Sequence, residues 1–147
     1  MFRSIVTIAA LLLFFFVTTS SAFDRSSLNN PSIRKDAITN LLIGLQSDNF
    51  GLRTSSAFML GEVKAEEAVL PLMRMLRTEE SEDARIVAAL ALYKIDNPKG
   101  IFAVSQAKRF DNSERVRKMC ANFYNETLKI KYGINESYSD SSEVAIR

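Results

Sequence analysis

Apolar residues recur along this chain at helical spacing, in segments separated by short polar stretches. Val69, Leu72, Met73 and Leu76 fall at i, i+3, i+4 and i+7, which puts them on one face of a helix. Ile38, Leu41, Leu42 and Leu45 repeat that spacing. Asn97-Pro98 opens a third such segment with a capping residue and a proline at the first helical position, where its missing N–H costs nothing. Pro71 lies a few residues into its own segment, so an early kink is expected there. We term these segments the B helices.

Between them lie three stretches that align with one another without a gap: Asn49 to Gly61, Ser81 to Tyr93 and Ser113 to Asn125. Arg53, Arg85 and Arg117 recur every 32 residues, and Ala57, Ala89 and Ala121 keep the same step. Leu52, Ala84 and Val116 precede the arginines by one position, and Leu60, Leu92 and Tyr124 close the pattern. Each copy opens with a residue suited to an N-cap, Asn49, Ser81 or Ser113, whose side-chain oxygen accepts from an otherwise unpaired helical N–H. Glu82, Asp83 and Glu114 fall in first turns, where the helix dipole favours acids. These are the A helices.

The order B, A, B, A, B, A from about Ser32 to about Lys131, with short connections, requires antiparallel neighbours. The fold class expected is all-α: a short α-solenoid, or α-α superhelix, of about six antiparallel helices, in which stacking supplies the core that no single repeat buries alone. Counted as A-B pairs, it has two complete units and a half unit at each end, so the end helices must act as caps.

These residues resemble short HEAT-like repeats of the type also found in phycobilin lyase-like proteins. The resemblance rests on Leu52-Arg53-x-x-Ser56-Ala57-x-x-Leu60-Gly61, followed by Glu67-Ala68-Val69-x-Pro71-Leu72-x-x-x-Leu76. Ala84-Arg85-x-x-Ala88-Ala89-x-x-Leu92 with Asn97-Pro98 repeats it, and Val116-Arg117-x-x-Cys120-Ala121 begins a third copy. It covers roughly Asp36 to Tyr124. The resemblance implies that an acid before each A helix joins the repeated arginine in a ladder between units. Glu79 and Asp111 stand six residues before Arg85 and Arg117. The first copy departs from this, with Ser47 in the equivalent place and Asp48 beside it, which leaves that rung open.

Composition narrows the chemistry. The chain has 147 residues, 19 Lys and Arg against 17 Asp and Glu, and so no concentrated positive field that would call for nucleic acid. It has no His and one Cys, Cys120, which removes most zinc schemes and every imidazole-based triad. Cys120 takes the slot of Ser56 and Ala88 in the repeat, where a small buried side chain is expected, not a disulfide partner. Glu79, Glu80, Glu82 and Asp83 share one polar turn, which reads as a solvated, dipole-compatible turn in preference to a catalytic acid pair.

At the N-terminus, Arg3, an apolar run from Ile5 to Val17, and Ser20-Ser21-Ala22 read as a secretory signal cleaved after Ala22. The apolar run falls short of the roughly 20 residues needed to span a bilayer. The expected layout is a signal peptide at 1–22, a repeat domain at 23–131 and a disordered, Ser- and acid-rich tail at 132–147, with the mature protein periplasmic or secreted and not stably inserted in a membrane. Asn125-Glu126-Thr127 and Asn135-Glu136-Ser137 match the glycosylation pattern.

For function, Leu70, Arg74, Arg77, Phe102, Gln106 and Arg109 lie off the core face of two B helices and correspond pairwise at the 32-residue step. In HEAT-like solenoids the B surface is a common partner site, and Phe with Arg is a frequent hot-spot pairing, so this stripe is the leading candidate for binding another protein. Packing between repeats is its competing role. Arg53, Arg85 and Arg117 are expected to be structural. A second surface is the last A helix, where Val116, Met119, Phe123 and Ile130 form a stripe to be covered by Tyr132, Ile134 and Tyr138 of the tail or by another molecule, self-association included. The reading is an exported protein-interaction or scaffolding module with no catalysis and no cofactor. The alternatives are a lyase-like enzyme accessory holding a cofactor in a cleft, and a structural oligomer subunit.

Overall fold

The computed structural model describes residues 31–133. The contacts divide the chain after Lys35, so Pro31 to Lys35 belong to an N-terminal unit and the residues from Asp36 onward to a second, compact one. The expected signal segment, Ile134, Asn135 and Tyr138 lie outside the described residues.

Six α-helices account for nearly all of that span: α1 (Pro31–Gly44), α2 (Phe50–Glu62), α3 (Val69–Thr78), α4 (Glu82–Ile95), α5 (Pro98–Phe110) and α6 (Glu114–Tyr132). Among the described residues there is no strand. The boundaries follow local chemistry. Asn49, Ser81 and Ser113 cap α2, α4 and α6 by accepting from the N–H groups of Leu52, Ala84 and Val116 at 3.0, 3.5 and 3.3 Å. Asn97 caps α5, with Pro98 at its first position. The helix α6 stops at Gly133, whose φ of 64° is a left-handed conformation that glycine adopts without steric cost. The irregularity expected at Pro71 takes a particular form. The segment opens as a 3-10 turn, Glu66–Ala68, whose Glu66 carbonyl accepts from the Val69 N–H, and becomes α-helical at Val69, so Pro71 sits in the first α-helical turn, where its missing N–H breaks no bond of the helix interior.

The A helices α2, α4 and α6 stack on one another, and α3 and α5 pack beside them, each antiparallel to the A helix that follows it. The repeating unit is therefore a B-A hairpin, α3–α4 or α5–α6, closed by residues 79–81 or 111–113. This corrects the counting of half units: α6 has a B partner, α5. The core is built from small side chains around a few large ones, with Ala57, Ala84, Ala88, Ala89 and Ala91 buried beside Leu60, Leu72, Leu92, Val104 and Val116. Small residues let the A helices approach closely, and a Cβ on Gly61 would lie 2.7 Å from Ala91 Cα.

The first helix adds little to this core. Only Ile38 and Gly44 of α1 are buried, while Leu41 and Leu42 are partly covered. Leu52 shows the consequence: it holds the slot of the fully buried Ala84 and Val116 yet is 52% exposed. On α3 the inward face is Val69, Leu72, Met75 and Leu76, with Met73 only partly buried in place of the interior position its spacing suggested.

Candidate interaction site

The arginine series is organised by the stacking of hairpins. Arg53 Nε and Nη2 donate to the Glu79 carboxylate at 2.8 and 3.2 Å, and Arg85 makes the same paired contact with Asp111 at 2.9 and 3.0 Å. Each arginine also donates through Nη1 to backbone carbonyls of its own preceding turn: Arg53 to Ser47 and Asp48, Arg85 to Glu79 and Glu80, and Arg117 to Asp111 and Asn112. The acid thus serves the arginine of the preceding hairpin, while the residue six places before an arginine contributes only its carbonyl. Ser47 is adequate for that role, so the first rung is filled. Arg117 is the arginine of the series with no carboxylate among the described residues.

Electrostatics follow these contacts. The hydrogen bond to Glu79 holds Arg53 above the ordinary arginine range, against an opposing effect of desolvation. Lys118, through its hydrogen bond and charge, lowers the carboxyl of Glu114. Further ion pairs join equivalent places of successive units: Glu62 with Lys94, and Asp83 with Arg115 at 2.6 Å. In each pair the partners carry opposite charges and stand one 32-residue step apart, a signal present in the sequence. Lys131 reaches Asp96 at 2.6 Å. Three of the four acids of the polar turn are thereby occupied, Glu79 by Arg53, and Asp83 with Glu82 by Arg115, while Glu80 contributes its backbone carbonyl to Arg85.

Cys120 is fully buried among the core residues. Burial first, then the charge of Asp111, raises its thiol pKa from 9.0 to about 12, with Arg85 pulling the other way. The thiolate therefore forms readily in the unfolded chain and not in the folded one. Stability from this group is complete below about pH 9 and is lost as the pH rises towards 12. Ellman's reagent near neutral pH is expected to leave the native thiol untouched and to titrate it fully in denaturant. Reaction of the native protein at the rate of the unfolded one would place the thiol at the surface.

The candidate stripe lies on the outer face of the B helices. Leu70 and Phe102 are 67% and 62% exposed, Arg74, Arg77 and Arg109 are exposed, and Gln106 is half-buried. Packing between repeats therefore does not account for Leu70 and Phe102. The guanidinium groups of Arg74, Arg77 and Arg109 make no ion pair or hydrogen bond among the described residues, whereas Arg53, Arg85, Arg115 and Arg117 are all engaged.

The second candidate surface is largely absorbed by the fold. Val116 is buried, and Phe123 stacks on Tyr93 with ring centroids 5.6 Å apart. Met119 is half-buried, while Ile130 and Tyr132 remain exposed. Asn125 lies inside α6 with its amide oxygen buried, and Thr127 is buried, so this glycosylation match falls within a helix and not in an exposed loop. At the C-terminal ends of the A helices, an open cleft of about 380 Å³ is lined by Gly61, Lys64, Tyr93, Lys94, Thr127 and Ile130, among others. It lies apart from the B-helix stripe. No helix among the described residues is long and apolar enough to cross a membrane.

A comparison with curated proteins finds no match. Residues 30–122 match the family model of HEAT repeats, a span that takes in the arginine ladder and both B helices of the stripe. Stacked antiparallel hairpins, arginines recurring at one step and this match over most of the chain lead to one assignment: the protein belongs to the HEAT repeat family.

Proposed function

We propose that this chain is an exported protein-interaction module with no catalysis of its own, recognising another protein along Leu70, Arg74, Arg77, Phe102, Gln106 and Arg109. HEAT repeats favour an interaction or scaffolding role in general. The observation that carries the more specific reading is the exposure of Leu70 and Phe102 at equivalent places of two packed helices, beside arginines that have no partner among the described residues. A large apolar side chain left in water on a repeated face gains most by being covered, and arginine beside an aromatic is a common source of binding energy. Export is supported by Arg3, the apolar run Ile5 to Val17 and the small residues ending at Ala22.

The test is affinity capture from the exported fraction of the native cell, comparing wild type with Phe102→Ala, Arg74→Glu. Both positions are exposed, so helicity and melting should be unchanged. A partner held by wild type and lost by the variant is the expected result. A partner held equally by both removes the B face from the function, and pigment absorbance co-purifying with the chain favours the lyase-like alternative.

A further inference from the structure

Two rows of side chains cross the B layer. Along each helix the stripe runs i, i+4, i+7, so the row Leu70/Phe102 lies about 10 Å from the row Arg77/Arg109, with Arg74/Gln106 between them. Packed helices are about 8–10 Å apart, so members of one row are separated by a similar distance. The face therefore has an apolar edge and a cationic edge, each spanning two helices.

Within the two helices its charge is of one sign, with the exposed acids Glu67 and Glu80 lying just outside the two ends of α3. Neither α3, with Arg74 and Arg77, nor α5, with Lys99, Lys108 and Arg109, contains an acid. The carboxylates at their C-terminal ends, Glu79 and Asp111, are drawn away by Arg53 and Arg85. Glu66, at the entrance to α3, accepts from Asn97 at 2.7 Å. Lys108 is turned onto the ring of Tyr124 at 4.4 Å, which leaves the three arginines as the outward cations of the stripe. The near-neutral balance of the whole chain hides this separation: the ladder and the inter-unit pairs take up acids on the A side, and the B face keeps its positive charge.

Resting on the B-face reading above, we propose that the occupant of this face is an acidic amphipathic protein segment. Its apolar side chains cover Leu70 and Phe102, and its carboxylates meet Arg74, Arg77 and Arg109. Guanidinium groups favour carboxylates because two parallel N–H donors match the two oxygens. A segment about as wide as one helix, with carboxylates on one edge and large apolar groups on the other, spans both rows at once. A protein segment is favoured over nucleic acid because the apolar edge offers Leu70 and a single ring, Phe102, where single-stranded bases need successive aromatic platforms.

The test uses the full chain and a fluorescent helical peptide with Leu along one face and Glu along the other, read by anisotropy. Three controls carry Gln for Glu, Lys for Glu, or Ser for Leu, and phosphatidylserine vesicles serve as a non-protein anionic surface. The Leu/Glu peptide should bind and lose affinity steeply with added salt. It should weaken by about ten-fold or more for the Arg74→Glu, Arg77→Glu, Arg109→Glu variant and for Phe102→Ser. The Gln and Lys peptides should be far weaker.

Absence of binding by the Leu/Glu peptide, equal binding by the Gln peptide, or an unchanged affinity in the triple variant would overturn the proposal. So would vesicle binding that depends on the arginines more strongly than peptide binding does. The two readings fail separately: a captured partner that needs Phe102 and Arg74 but binds through a neutral or basic segment leaves the B-face reading standing and overturns the acidic occupant, whereas a partner held equally by wild type and variant removes the B face itself.

Discussion

Replacing Arg85 by alanine should destabilise the protein by about 3 kcal/mol, the low end for breaking one side of a buried pair. The side chains of Arg85 and Asp111 are 11% and 9% exposed, so removing the guanidinium leaves a carboxylate with little water to replace it. The carbonyls of Glu79 and Glu80 lose their donor as well. Asp111 keeps one bond, from the N–H of Ser113 at 2.8 Å, which holds the effect to the lower part of the range. At about 4 °C per kcal/mol for a domain of this size, the melting temperature falls by roughly 12 °C. Arg53→Ala should cost less, because that pair is more exposed, at 21% and 18%. Arg117→Ala, which removes only bonds to carbonyls, should cost least. Thermal melts of the three variants check the order, and Arg85→Ala should still bind at the B face. A melt of Arg85→Ala within a degree or two of wild type, or of Arg117→Ala lowered as far, would remove the ladder from the stability of the fold.

The second large effect should come from Gly61→Ala. Helix propensity favours alanine by about 1 kcal/mol at an interior helical site and by less at Gly61, the last but one residue of α2. Packing opposes it: the new Cβ would lie 2.7 Å from Ala91 Cα and 3.0 Å from Ala91 Cβ. The obstacle is the backbone of α4, which no rotamer change moves away, so α2 and α4 must separate along their contact. Overpacking of this kind costs about 1–3 kcal/mol, and loss of tight contact along the neighbouring Ala57 and Leu60 places the net effect near 2 kcal/mol destabilising. Urea unfolding of Gly61→Ala measures it. A stabilised variant would mean that α2 and α4 are not held at this distance in solution.

The helical class and the helix starts were legible because the signals are local. A capping side chain acts on an N–H three residues away, and an apolar face repeats within two turns, so Asn49, Ser81, Ser113 and Asn97-Pro98 marked the helix starts. The alignment of Arg53, Arg85 and Arg117 placed the repeats in phase for the same reason. What the alignment left undefined was the unit of packing. A chain written B, A, B, A divides equally well into A-B or B-A hairpins, and only the contacts show α5 paired with α6. That choice absorbed most of the stripe on the last helix, burying Val116 and packing Phe123 against the core, while Ile130 stays exposed.

The ladder divides in the same way. By itself the sequence determined that this protein is a helical repeat, where its helices begin, and which arginines recur. Only the tertiary structure decided that Glu79 serves Arg53 and Asp111 serves Arg85, each across 26 residues. It also decided that Leu52 stays exposed at the first repeat, and that the arginines of the B face find no ion-pair partner among the described residues. The physical reason is one of range. Caps and amphipathic faces are set within a turn or two of a helix, but the neighbours of a carboxylate, a guanidinium or a leucine at an end of the stack depend on how whole hairpins come to rest on one another.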